Sequence, residues 1–234
     1  MKCGVCGYET SFLAKTQVLE KYEASYFVCR SCGCVMIENP HWLEEAYRGY
    51  VDDVNANCRN AENFRGMSAF AGQNVGPRAR MLDYGCGAGM LVKALSDAGF
   101  EAFGYDRYRR ASFRPGNLTD SYDMVTAFEV FEHFEKPMEE FLSLPRAKLM
   151  VISTELVPNG PPSPPGWHYY ACWCGQHIFF YTIRALCLMA AAAGYDRLYS
   201  TGLNYHVFSK GDVYFSEFEK AVPRLKFERA IITS

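Results

Sequence analysis

The sequence predicts an α/β protein, with a mostly parallel open sheet flanked by helices and a small metal-bound unit at the N-terminus. Three observations predict it. The run Met81-Leu82-Asp83-Tyr84-Gly85-Cys86-Gly87-Ala88-Gly89 passes from an apolar strand through a glycine turn into a helix, with Leu91, Ala94, Leu95 and Ala98 on one face. A second strand, Glu101 to Tyr105, ends in Asp106. Ahead of both stand two Cys-x-x-Cys pairs, Cys3/Cys6 and Cys29/Cys32.

A length of 234 residues suits one α/β domain plus a small accessory module. The formal charge of −2 gives no electrostatic case for a large polyanionic partner. The N-terminus does not read as a signal peptide, and no apolar run is long enough to span a membrane, so a cytoplasmic location is expected. The sequence holds ten cysteines, clustered in a way that suggests metal rather than disulfides.

Residues 1–37 form the first unit. Two Cys-x-x-Cys pairs, each followed by glycine (Gly7, Gly33), make a zinc-ribbon pattern, because soft thiolates at that spacing turn both sulfurs toward one tetrahedral metal. Zinc is expected on Cys3, Cys6, Cys29 and Cys32, with Cys34 as an alternative ligand. Phe12 to Glu20 and Tyr22 to Val28 read as a hairpin between the pairs. So short a unit buries little core, so metal is expected to supply its folding energy, separately from the rest of the chain. Residues 38–80 read as a helical connection. In it Trp42, Leu43, Ala46 and Tyr47 share a helix face continued by Tyr50 and Val51, and a further helix lies near Ala61 to Ala71.

The glycine turn departs from a dinucleotide fingerprint: the third glycine falls one position early, giving G-x-G-x-G with an acid two residues before it. With Asp106 roughly 20 residues past the first glycine, where a ribose-binding acid belongs, this resembles motif I of class I S-adenosylmethionine-dependent methyltransferases. The paired cysteines, Asn39-Pro40, the Tyr-bearing helix and motif I together resemble bacterial methyltransferases with an N-terminal zinc-binding segment, many acting on sugars or surface-polysaccharide precursors. The resemblance implies a Rossmann-like sheet, a methyltransferase domain over 81–209 and S-adenosylmethionine as cofactor. It implies that Asp83 holds the methionine end, that Gly85, Cys86, Gly87 and Gly89 form the close-approach loop, and that Asp106 takes the ribose hydroxyls.

Arg107 to Ser121 is too short for the helix, strand and helix such domains normally place there, and Arg114-Pro115-Gly116 argues against a helix. A stunted third strand is expected at Asn117-Leu118, with both residues expected near the cofactor's adenine. After the strand Tyr122 to Phe128 comes Glu129-Val130-Phe131-Glu132-His133, similar to a string that shapes the cofactor side of the pocket in most class I enzymes and binds a divalent metal in some. Glu129 is expected on the cofactor side, and His133 as a structural or cofactor-side residue. Leu149 to Thr154 is the fifth strand, and Pro158 to Gly166 a stiff loop at the pocket rim. Gln176-His177 stands where sugar C-methyltransferases carry a Glu-His pair, whose histidine has been assigned proton abstraction. Gln176 cannot act as a base. The helix Ile183 to Ala193 stops at Gly194, a hairpin of Tyr195 to Thr201 and Asn204 to Ser209 follows, and 210–234 reads as a charged tail.

The expected function is methyl transfer to a small-molecule acceptor, a sugar or nucleotide-sugar among the candidates. His177 is the first candidate base, with His168 and His133 behind it. Two alternatives remain: an RNA methyltransferase with a zinc-ribbon reader, and a non-catalytic S-adenosylmethionine-binding protein.

Overall fold

The computed structural model describes residues 1–48, 56–108 and 113–232. In chain order the elements are β1 (Thr10–Val18), β2 (Tyr22–Cys29), β3 (Val35–Ile37), α1 (Leu43–Arg48), α2 (Ala56–Asn74), β4 (Arg80–Tyr84), α3 (Met90–Asp97), β5 (Glu101–Tyr105), β6 (Tyr122–Phe128), α4 (Pro137–Ser143), β7 (Ala147–Ser153), β8 (Phe179–Phe180), α5 (Ile183–Ala192), β9 (Arg197–Ser200), β10 (Tyr205–Ser209), α6 (Ser216–Ala221) and β11 (Glu228–Ala230). Tyr50 and Val51, expected to extend the first helix face, lie outside the described residues.

Among the described residues the larger sheet has seven strands in the order β11-β9-β10-β7-β6-β4-β5. The half from β7 to β5 is parallel, and the half from β10 to β11 antiparallel. Helices cover both faces, which is why its strands read as near-continuous apolar runs. Alternate residues separate cleanly. Met81, Met124, Leu149 and Val207 face α2, α3 and α6, whereas Leu82, Val125, Met150 and Phe208 face α4 and α5. The arrangement is a Rossmann-like α/β fold.

Three expectations are corrected. No third strand forms at Asn117-Leu118: the segment touches the edge of β5 only through a single bridge, Pro115 to Gly104. Asn117 instead closes a turn, its Oδ1 accepting from Thr119 N at 3.1 Å, and proline cannot donate to a longer ladder. The charged tail is part of the fold, because Phe218 on α6 is buried against α2 and β11 pairs with β9.

The third correction concerns the N-terminal unit. Its hairpin forms nearly where expected, but β3 recruits β8 from the far side of the sequence, making a four-stranded sheet β1-β2-β3-β8. Cys3, Cys29, Cys32 and Cys34 lie in the same apolar cluster as Phe131, Phe141 and Leu186. Thr182, the N-cap of α5, donates from its hydroxyl to Cys32 O at 2.6 Å and accepts from Ala185 N at 3.2 Å. The stability of this unit is therefore shared with the large domain, not separate from it. Among the described residues no helix is long and apolar enough to cross a membrane.

Candidate active site

The parallel strands β4, β5 and β6 all deliver their C-terminal ends to one edge, the edge at which open α/β sheets bind ligands. A cleft of about 200 Å³ lies there. From β4 come Tyr84, Gly85 and Gly87, from β5 Asp106, Arg107 and Tyr108, and from β6 Glu129, Val130, His133 and Phe134. Tyr47 from α1, Gln176 and Glu140 complete its lining.

The glycine loop is shaped by contact as well as by turning. Gly85 has φ +76, and a Cβ there would meet Val130 Cγ2 at 2.4 Å. A side chain would cost strain of about 1–3 kcal/mol on conformation alone, before the clash. Asp106 holds the loop: Gly87 N donates to its Oδ2 and Tyr108 N to its Oδ1, both at 2.9 Å. Gly89, at φ +80, is the N-cap of α3 and offers no side-chain cap, so it begins the helix without lining the cleft. Cys86 turns away and packs against Gly104, whose missing Cβ would lie 2.7 Å from its Sγ.

Asp83 is buried beneath the loop and accepts from Thr126 Oγ1 at 2.8 Å. Burial pushes its carboxyl up to about 7, and the charge of Asp106 adds to the rise. Glu129 takes φ +54, unusual for a residue with a side chain. Ser153 holds it at both ends, accepting from Glu129 N at 3.0 Å and donating to Glu129 Oε1 at 2.7 Å.

Of the three candidate bases, the fold brings two together. The rings of His133 and His177 lie 5.1 Å apart. His177 Nδ1 is 2.7 Å from Tyr169 O, and since a carbonyl only accepts, Nδ1 carries the proton and Nε2 keeps its lone pair. His133 Nδ1 is 2.8 Å from the Tyr47 hydroxyl. Beneath them Glu132 is wholly buried, its Oε1 accepting from Tyr169 Oη at 2.7 Å. Burial holds both imidazoles below their ordinary pKa and, with Glu129 nearby, lifts the Glu132 carboxyl well above its own. His168 stands apart: it is exposed and pairs with Glu155 at 3.1 Å. Asn117, Leu118 and His177 do not line the cleft either, His177 standing behind His133, which does. The proline-rich loop packs on the aromatic core, with Tyr170 Oη donating to Pro162 O at 2.7 Å.

Sequence reasoning missed Tyr47, Tyr84, Arg107, Tyr108 and Glu140 as lining residues. Tyr47 reads as a core aromatic, but its ring stacks on Tyr108 at 3.9 Å over the cleft. The position of Arg107 and Tyr108, directly after the acid that ends β5, is the signal that would have found them.

Outside the cleft, the sulfurs of Cys3, Cys6, Cys29 and Cys32 lie within 4.8 Å of one another. The pairs Cys3/Cys32 and Cys6/Cys29 are 3.5 and 3.4 Å apart, far beyond a disulfide and near the roughly 3.8 Å edge of a tetrahedron with 2.3 Å metal–sulfur bonds. Backbone N–H groups of Ser31 and Cys32 approach Cys29 Sγ at 3.4 Å, as suits a thiolate. This donor set fits a metal ion, and Cys34 stands outside it.

The methyltransferase-domain family matches residues 52–200, more than half of the chain. No curated protein matches. A chain of the structure titled a complex between the Haloferax volcanii Trm112 methyltransferase activator and the putative methyltransferase aligns at TM-score 0.50 and 14% identity, covering 75% of this chain and 98% of that one. That likeness is one of fold. The magnesium protoporphyrin IX methyltransferase of Synechocystis PCC 6803, solved with bound SAH, aligns at 0.45 and 16%, covering 70% and 92%. The mitomycin 7-O-methyltransferase aligns at 0.48 and 13%, covering 74% and 58%.

Proposed function

The chain belongs to the methyltransferase-domain family and is an S-adenosylmethionine-dependent methyltransferase, and on that premise we propose that its acceptor is a small hydroxyl-bearing molecule, a sugar or nucleotide-sugar first among the candidates. The observation that carries this is one cleft lined both by a glycine loop held by Asp106 and by the half-buried His133, whose ring lies 5.1 Å from that of His177. Gly85 and Gly87 let the cofactor approach the backbone, Asp106 takes its ribose hydroxyls, Glu129 lies on its side of the cleft and Asp83 supports its methionine end. Bound there, the cofactor supplies an electrophilic methyl group on a sulfonium, so the protein's task is alignment and handling of the acceptor's proton. His133 and His177 are the basic groups at the acceptor end, and His168 leaves the mechanism. Structural zinc is held by Cys3, Cys6, Cys29 and Cys32.

Calorimetry with S-adenosylmethionine and its demethylated product tests this, with micromolar binding expected and no binding to folded protein overturning it. The pH dependence has a definite sign. Asp83 titrates at about 7 in the free protein, so it is protonated in acid and ionised above neutrality. A cationic cofactor favours the ionised form, so affinity is expected to hold above pH 7 and to weaken below it, by at most tenfold per pH unit. The Asp83→Asn variant is expected to bind weakly with a flat profile.

A further inference from the structure

We propose that Tyr169 is a positioning residue that passes one proton between Glu132, beneath the two imidazoles, and Glu129, on the cofactor side of the cleft, so that the charge lost at the sulfonium and the charge gained at a histidine are balanced inside the protein. The proposal rests on the methyltransferase reading above and deepens it.

The Tyr169 hydroxyl stands between two carboxyl groups. Its Oη lies 2.7 Å from Glu132 Oε1, 3.2 Å from Glu129 Oε2 and 3.2 Å from Thr154 Oγ1. A phenol has one hydrogen, so it cannot donate to both carboxyls at once. Two carboxylates brought so close away from water also resist ionising together. One shared proton answers both problems: one carboxyl donates to Oη while Oη donates to the other. The chain of O–H bonds can run from Glu132 to Glu129 or back, and reversing it needs no large movement of heavy atoms.

An independent feature says where the proton rests. Glu132 is completely buried, and its Oε2 has no hydrogen-bond partner. A bare oxygen is far costlier on an ionised carboxylate than on a neutral acid. Glu129 lines the cleft, and its Oε1 accepts from Ser153 Oγ at 2.7 Å, as suits a carboxylate. The resting pair is therefore neutral Glu132 and ionised Glu129, with the negative charge on the side of the cationic cofactor. Facing Glu132 are the two imidazoles, each with a ring nitrogen within 4.8 Å of its carboxyl, His133 Nε2 being 3.9 Å from Oε1. Tyr47 and Tyr181 are the further ionisable groups around it, and burial pushes both phenols up, so they stay neutral.

In the reaction this implies, the acceptor's oxygen–carbon bond forms as the carbon–sulfur bond breaks, with the electron pair staying on sulfur. The acceptor's proton goes to an imidazole. Positive charge has then left the side of Glu129 and stands over Glu132. Glu132 gives its proton to Tyr169 Oη, and Tyr169 gives its own to Glu129. Glu132 ends ionised beside the imidazolium, Glu129 ends neutral, and the pair neither gains nor loses a proton.

Infrared spectroscopy of the full chain at about pH 9, well above the titration of Asp83 at about 7, gives the test, because ordinary carboxyls are ionised there. Wild type is expected to show the carbonyl stretch of a protonated carboxyl, and Glu132→Gln to lack it. Its absence from folded wild type overturns the shared proton, whether or not the variant folds. The band is expected to change when the demethylated product replaces S-adenosylmethionine, and an unchanged band overturns the transfer. Tyr169→Phe keeps the ring and the carbonyl bonded to His177 and loses only the hydroxyl. It is expected to keep the band, to lose the band's response to the cofactor's charge, and to lower kcat by roughly 10² with cofactor affinity within about threefold of wild type. Wild-type turnover, or a band that still responds, removes Tyr169 from the path. Calorimetry with S-adenosylmethionine separates the two readings. Cofactor binding without a protonated carboxyl sinks the relay alone. A protonated carboxyl without cofactor binding leaves the shared proton standing and sinks the methyltransferase reading.

Discussion

His177→Ala is expected to lower turnover by roughly 10² or more while cofactor affinity stays nearly unchanged. His177 stands among the rings of His133, Tyr169 and Phe180. Its Nε2 lone pair is fixed by the backbone bond from Nδ1, and alanine removes both. The comparison is with His168→Ala, whose exposed ring pairs with Glu155 and should leave turnover near wild type. Steady-state kinetics and calorimetry on both variants decide the matter. Wild-type turnover in His177→Ala removes the residue from the mechanism, and joint loss of cofactor affinity and thermal stability marks it as structural.

Cys29→Ser is expected to melt the N-terminal sheet and to lower turnover at least tenfold, although the cluster is not part of the cleft. Structural zinc contributes on the order of 10–16 kcal/mol to small metal-bound units, and losing one of four thiolates forfeits much of it. The damage should reach the site along a short path. β3 pairs with β8 through Val35–Phe180 and Met36–Phe179, and His177 lies two residues before that strand begins. The Cys32 carbonyl also receives the hydroxyl of Thr182 at the start of α5. Melting temperature, bound zinc and turnover should fall together. A variant with one zinc fewer and undiminished turnover would show that the two parts are uncoupled.

By itself the sequence determined whatever rests on local chemistry. The limits of β5 and β6, the helix after the glycine turn and the terminal hairpin followed from periodicity and glycine placement, because neighbouring residues alone set the backbone there. Asp106 was legible for the same reason: the acid that ends β5 necessarily reaches the edge where the glycine loop turns, and Gly87 N bonds to it. The pairing of Cys3 and Cys6 with Cys29 and Cys32 followed from spacing, since two thiolates per turn must share a centre.

Only the tertiary structure decided the rest. His133, His177 and His168 are equivalent as residue types. What divides them is that the chain folds Gln176-His177 over the string after β6, placing His177 beside Glu132 and His133, while His168 turns toward solvent. Nothing local predicts that β8 would join β3, because a two-residue strand has no period to read. The same long-range pairing merges the cysteine unit with the main core. Tyr47 joins the cleft because α1 packs beside Gln176, whose Nε2 donates to Ala46 O at 3.0 Å. Burial, finally, gives Asp83 and Glu132 their raised proton affinities, and burial is a property of the assembled sheet and helices rather than of any short stretch of chain.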